Sequence, residues 1–229
     1  MCFSATADFV AAGAVGVVGA ATLTQVRTRR DVLLASLPGL FALHQFTEGF
    51  VWLGLEGHVD RGIADVAAFL YVLYAQGLLP LLVPLALLLI EPPGRRRKHI
   101  VPFLVLGALT SVWLFWIDVA GSVDYSVAER SIVYETGGEL LGVAAVCYVI
   151  AVCGAALLSQ YRWIVAFGVA NVVGLTVTLI LLAEAFTSVW CAYAAVSSVL
   201  LLAFFLRRNR TEGDRVGINQ RRPPVPARG

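Results

Sequence analysis

Apolar residues gather along the chain into seven stretches, each long enough for a membrane-crossing helix, with charge confined mostly to the gaps. The first covers residues 5–26 and is closed by Arg27, Arg29 and Arg30. The second, residues 32–55, carries LFALHQFTEGFVWLGL. The third, residues 63–90, is long enough to tilt, and Pro80 and Pro84 should bend its inner half. Residues 99–119, 140–159, 163–183 and 186–206 complete the series. Only a tight turn near Ala183 divides the last two, so six long helices is the alternative count. The pattern predicts an all-α fold: one bundle of seven transmembrane helices over residues 1–206.

The gaps are not equivalent. RTRR follows the first stretch, EPPGRRRKH the third, Arg162 the fifth and RRNR the seventh. The alternate gaps hold only Arg61 and Arg130, among acids such as Glu56, Asp60, Asp124, Glu129, Glu135 and Glu139. Basic loops stay cytoplasmic, so the N-terminus is expected outside and the C-terminus inside, in a multi-pass protein of the cell membrane. No basic and apolar leader precedes the first stretch, and no cleavable signal peptide is expected. Residues 207–229 are polar, basic and proline-rich, which predicts a disordered cytoplasmic tail resting on anionic headgroups.

Composition supports the same class. Of 229 residues 59% are hydrophobic and 14% charged, with mean hydropathy +0.82. A soluble domain carries about 25% charge. The lipid bilayer is therefore the expected partner, with no nucleic acid, and the sequence leaves open the small-molecule or ion ligand and the oligomeric state.

Ionisable side chains at bilayer depth are costly, which makes them candidates for function. His44 and Glu48 lie four residues apart on the second stretch, hence on one helix face, beside Phe41, Gln45 and Trp52. His44 falls near mid-membrane, with Glu48 about 6 Å nearer the outside. Tyr71, Tyr74, Gln76, Asn171, Thr178 and Glu184 are possible partners from other stretches. Of the four cysteines, Cys147 and Cys153 sit six apart in one stretch and point away from each other, as small apolar residues would. Cys2 and Cys191 fall in the outer half with Glu48.

Three readings of this group compete. In the first, buried polar groups pair across helices, with Cys2 and Cys191 in a disulfide. Alternatively Cys2, His44, Glu48 and Cys191 are four ligands suited to zinc or copper, and Cys2, once the initiator methionine is removed, adds a chelating amine. A metal-dependent enzyme would then use bound metal to activate water and Glu48, with His44, as catalytic groups. The third reading is a proton- or cation-coupled transporter or sensor working through His44, Glu48 and the tyrosines. Depth weighs against the metal, since Glu48 lies about 10 Å below the surface where Cys2 is expected. Retinal is excluded because the sole lysine, Lys98, lies in a basic loop. Segment seven also lacks the histidine pair of zinc-dependent membrane hydrolases.

MCFSATA at 1–7, QFTEG at 45–49 followed by Trp52, and VWCAYAAVSS at 189–198 carry a resemblance. The chain resembles a group of uncharacterised bacterial and archaeal membrane proteins with an N-terminal Met-Cys-aromatic-Ser motif and a Gln-x-x-Glu-Gly motif in the second helix. That resemblance implies no activity. It singles out Cys2, Gln45, Glu48, Trp52, Trp190 and Cys191.

Overall fold

A computed structural model describes residues 4–121, 123–128, 131–136, 141–181, 193, 195 and 197–220. Helix α1 (Ala5–Leu23) starts where the Ser4 hydroxyl accepts from the Ala7 amide at 3.2 Å. A turn through Arg27–Asp31 returns the chain into α2 (Val32–Leu55), and the two helices pack side by side. Their approach is closest at glycine: a Cβ on Gly19 would stand 2.7 Å from the Gly39 nitrogen. Small residues at such crossings let backbones meet without a hydrophobic drive between helices.

Helix α3 (Arg61–Val72), a π-helical turn over Leu73–Leu78 and α4 (Leu79–Ile90) form one continuous rod. Just ahead of the prolines the helix widens into this turn. Pro80 lacks an N–H and its ring crowds the carbonyl four residues back. The Leu79 amide instead reaches the Tyr74 carbonyl, five residues back. Helix α5 (Arg95–Ala120) follows, then α6 (Leu141–Leu157), α7 (Arg162–Leu181) and α8 (Val199–Gln220).

The all-α expectation needs a correction. Strands β1 (Val123–Ala128) and β2 (Ser131–Thr136) pair antiparallel, with Tyr125 opposite Tyr134. Val123, Tyr125, Ile132 and Tyr134 pack onto a cluster of Ala5, Val51, Trp52, Ala67 and Ala68. The hairpin thus caps the end of the bundle where α1 starts and α2 ends. It forms because Val-Asp-Tyr-Ser-Val alternates apolar and polar positions with the two-residue period of a half-buried strand.

The segment expected to begin a disordered tail at Arg207 is helical, because α8 runs on to Gln220. Its first residues are anchored: Arg208 Nη1 pairs with Asp31 Oδ1 at 2.8 Å, and Asn209 Nδ2 donates to the Gln25 carbonyl at 2.9 Å. Arg207 lies over the Trp163 ring at 5.5 Å. Residues 221–229 lie outside the described part.

Among the described residues, α1, the Arg61–Ile90 rod and α5 are long and apolar enough to cross a membrane, and α6 and α7 contribute shorter apolar helices. The interior holds Leu34, Leu37, Phe41, Leu87 and Phe204. Apolar side chains also face outwards. Val101, Val105, Leu109, Val112, Trp116 and Val119 form an exposed stripe along α5, with Trp116 71% exposed. Val143, Val146 and Ile150 do the same on α6, and Val169 and Val173 on α7.

The basic turns meet at the opposite end from the hairpin. The Asp31–Arg208 pair joins the α1–α2 turn to α8, while Glu91 after α4 accepts from Ser159 Oγ at 2.9 Å and the Gln160 amide at 3.0 Å in the α6–α7 turn.

Candidate functional site

Three polar residues on α2 face inward: His44, Gln45 and Glu48 are all buried, and Glu48 has no exposed surface. The i, i+4 spacing of His44 and Glu48 sets both on the side of α2 that the bundle covers. Opposite Gln45 stands Asp8 in the first turn of α1, also wholly buried. Gln45 Nε2 donates to Asp8 Oδ1 at 3.4 Å. The two helices can approach here because Gly49 lies against Phe9; a Cβ on Gly49 would sit 2.6 Å from that ring.

His44 is held by rings. Its imidazole stacks on Tyr71, centroids 3.8 Å apart and planes 12° from parallel, and leans on Tyr74 at 4.9 Å. Neither ring nitrogen has a hydrogen-bond partner among the described residues. Tyr71 in turn stacks with Tyr134 of β2 at 4.7 Å and 19°. Three near-parallel rings therefore connect α2, α3 and the hairpin. Tyr74 is presented by the π-helical turn, a feature frequent at functional sites. The hairpin is fixed in its turn by Tyr125, whose hydroxyl donates to Asp65 Oδ1 at 2.6 Å. Burial, then the hydrogen bond and charge of Asp65, push the Tyr125 phenol up to about 12 against the opposing charge of Arg61.

The structure sets His44 against Tyr71 and Tyr74, pairs Gln45 with Asp8, and buries Glu48 one turn along α2 from His44. Trp52 is buried on the same helix, its Nε1 without a partner among the described residues. Gln76 belongs to the π-helical turn, its Oε1 buried without a partner among the described residues. Asn171 is committed elsewhere, donating to the Phe167 carbonyl at 2.7 Å and to Ser197 Oγ at 3.4 Å. Cys147 and Cys153 are free thiols, Cys153 buried beside Tyr71 and Val72. Cys2, Glu184, Trp190 and Cys191 lie outside the described residues, as does the side chain of Thr178. The four-ligand metal set and the Cys2–Cys191 disulfide therefore rest on sequence. Among the described residues no three His, Cys, Asp or Glu side chains converge as a metal site.

Sequence reasoning missed two members of the group. Asp8 is the only charged residue in positions 5–26, and that was its signal. Tyr134 was hidden because its segment looked like a charged loop rather than a strand.

The assembled chemistry is two carboxyl groups, an imidazole, an amide and several phenols inside an apolar bundle. Such a set can hold and relay a proton or bind a small cation. A model of a family of unknown function (DUF6629) matches residues 1–215. No curated protein and no solved structure matches the chain.

Proposed function

For a chain that belongs to the DUF6629 family of unknown function, we propose a multi-pass membrane protein that takes up and passes a proton, or a small cation, at Asp8, His44, Gln45 and Glu48. The seven-helix count, with N-terminus outside and basic turns in the cytoplasm, belongs to this proposal. The apolar stripe on α5 supports the membrane setting, since soluble monomers rarely expose contiguous apolar patches of more than a few hundred square ångströms. The gathering of every basic turn at one end supports the orientation.

The observation that carries the proton reading is the complete burial of Asp8 and Glu48 on facing helices, with the Gln45 amide bonded to Asp8. Carboxyl groups at that depth take a proton or a counter-cation, because a bare charge there is too costly. His44, stacked on Tyr71 and leaning on Tyr74, supplies a second exchangeable group one turn away.

The test is proton flux in proteoliposomes of verified incorporation under an imposed pH gradient. Wild type should dissipate the gradient faster than empty vesicles, and Glu48→Gln and Asp8→Asn should each remove the difference. Wild-type flux equal to that of empty vesicles would overturn the reading. The competing reading is zinc or copper held by Cys2, His44, Glu48 and Cys191. Stoichiometric metal in wild type, lost in Cys2→Ala and Glu48→Gln, would establish that site instead.

A further inference from the structure

A cleft of about 250 Å³ opens at the basic end, between the α1–α2 turn, the end of α4 and the start of the α8 extension. Its lining divides by chemistry. Leu89, Ile90, Pro92 and Pro93 form an apolar wall, and Arg27, Arg30 and Arg208 bring guanidinium groups to the other side.

Two carboxylates also line the cleft, but both are already engaged. Asp31 takes Arg208 at Oδ1 and the amides of Arg27 and Thr28 at Oδ2. Glu91 gives both oxygens to the α6–α7 turn. Of the cations, Arg27 donates from Nη2 to the Asn209 carbonyl at 3.2 Å and Arg208 keeps its pair with Asp31. Arg30 is exposed, with no hydrogen bond or ion pair among the described residues. Arg208 is mostly covered, its side chain 15% exposed, and its buried Nε has no partner among the described residues. Phe204 and Phe205 hold that guanidinium from behind, at 5.3 and 5.0 Å.

We infer that this cleft binds the phosphate of an anionic membrane lipid, with Arg30 and Arg208 on the headgroup and Leu89 and Ile90 against the first acyl carbons. Guanidinium forks match phosphate oxygens in geometry and charge. The apolar wall selects a lipid over a free phosphate ion, which would gain nothing from it. Basic pockets between helices at the cytoplasmic face are where such headgroups bind. A second cleft of about 280 Å³ adjoins the first at Pro93 and pairs Arg97 and Lys98 with Val101, so the same pairing of cation and apolar wall continues along the rim. The inference uses the membrane setting and is independent of the proton site.

The experiment is thermal unfolding of the purified full chain in a neutral detergent, titrated with phosphatidylglycerol, with phosphatidylcholine of the same acyl chains, or with inorganic phosphate. Phosphatidylglycerol should raise the midpoint and the other two should not. Arg30→Gln should weaken the lipid affinity about fivefold, whereas Arg61→Gln, at the hairpin end, should leave it unchanged. Arg30 is exposed, so its replacement does not endanger folding. Equal shifts with phosphatidylcholine or with inorganic phosphate, or wild-type affinity in Arg30→Gln, would overturn the assignment. Proton flux plays no part in the readout, so its failure and that of the proton site are separable.

Discussion

His44 and Tyr71 lie ring on ring, 3.8 Å apart and 12° from parallel, across the contact between α2 and α3. Tyr71 stacks on Tyr134 as well, so a single phenol joins the buried imidazole to the hairpin. Each such pair adds about 1 kcal/mol beyond area burial. Tyr71→Leu should therefore cost about 2 kcal/mol, read as a lower unfolding midpoint in detergent. Tyr71→Phe keeps both pairs and should cost less than half as much. Equal losses in the two variants would show that ring pairing contributes nothing here.

The contact of Gly49 with Phe9 predicts a different kind of loss. Gly49→Ala places a Cβ about where the ring edge stands, and overpacking of that kind costs about 1–3 kcal/mol. Phe9→Leu combined with Gly49→Ala should recover part of it, giving a non-additive cycle. Strict additivity of the two unfolding shifts would contradict the contact.

Acid should act at the basic end. Burial alone would raise the Asp31 carboxyl, but the Arg208 hydrogen bond, the Thr28 amide, the Arg208 charge and the Arg27 amide hold it below its ordinary 3.8. A lowered folded value means that the contribution is fully present above the ordinary value and is lost as pH falls through the lowered one. Asp31→Asn should destabilise the protein at neutral pH and flatten its loss of stability below pH 3.8 relative to wild type. Parallel acid curves for the two proteins would refute this.

Alkali should act at the hairpin. The Tyr125 phenol ionises near 12 when folded against 10.0 when free, so its contribution holds below pH 10.0 and fades as pH rises towards 12. Ultraviolet titration should show a late-ionising phenol in the folded protein that is lost in Tyr125→Phe, and Asp65→Asn should shift it downwards. A titration unchanged by Tyr125→Phe would rule the assignment out.

Much of this architecture was legible as hydrophobic pattern. The third apolar stretch became the Arg61–Ile90 rod, and the i, i+4 spacing of His44 and Glu48 did place them on one covered face. Helix α5 starts at Arg95 rather than near His99, because hydropathy marks what is apolar while helical hydrogen bonding continues into polar sequence. The same reasoning fails for the tail: Arg208 and Asn209 read as solvated residues, yet Asp31 and Gln25, 177 and 184 positions away, hold them. The hairpin was legible in principle, since Val123, Tyr125 and Val127 alternate with Asp124 and Ser126. Its charged residues hid that period. Asp8 is not legible as a core residue because, at the start of the first apolar stretch, an acid reads as an N-terminal helix residue facing solvent.

The π-helical turn carries one more consequence, visible in which residues it buries. Above it the covered stripe reads Ala64, Ala68, Tyr71 and continues into the turn at Ala75; below it come Leu79, Val83, Leu87, Ile90. An unbroken 3.6-residue period from Ala64 would arrive instead near Leu78, which is 39% exposed. The stripe slips by one residue, about 100° of rotation. The upper half of the rod is thereby phased to stack Tyr71 on His44, and the lower half is phased separately to pack its leucines and valine into the core. Deleting Leu78 alone would leave every side chain of the site present and a better-formed helix, with the two halves facing the wrong ways.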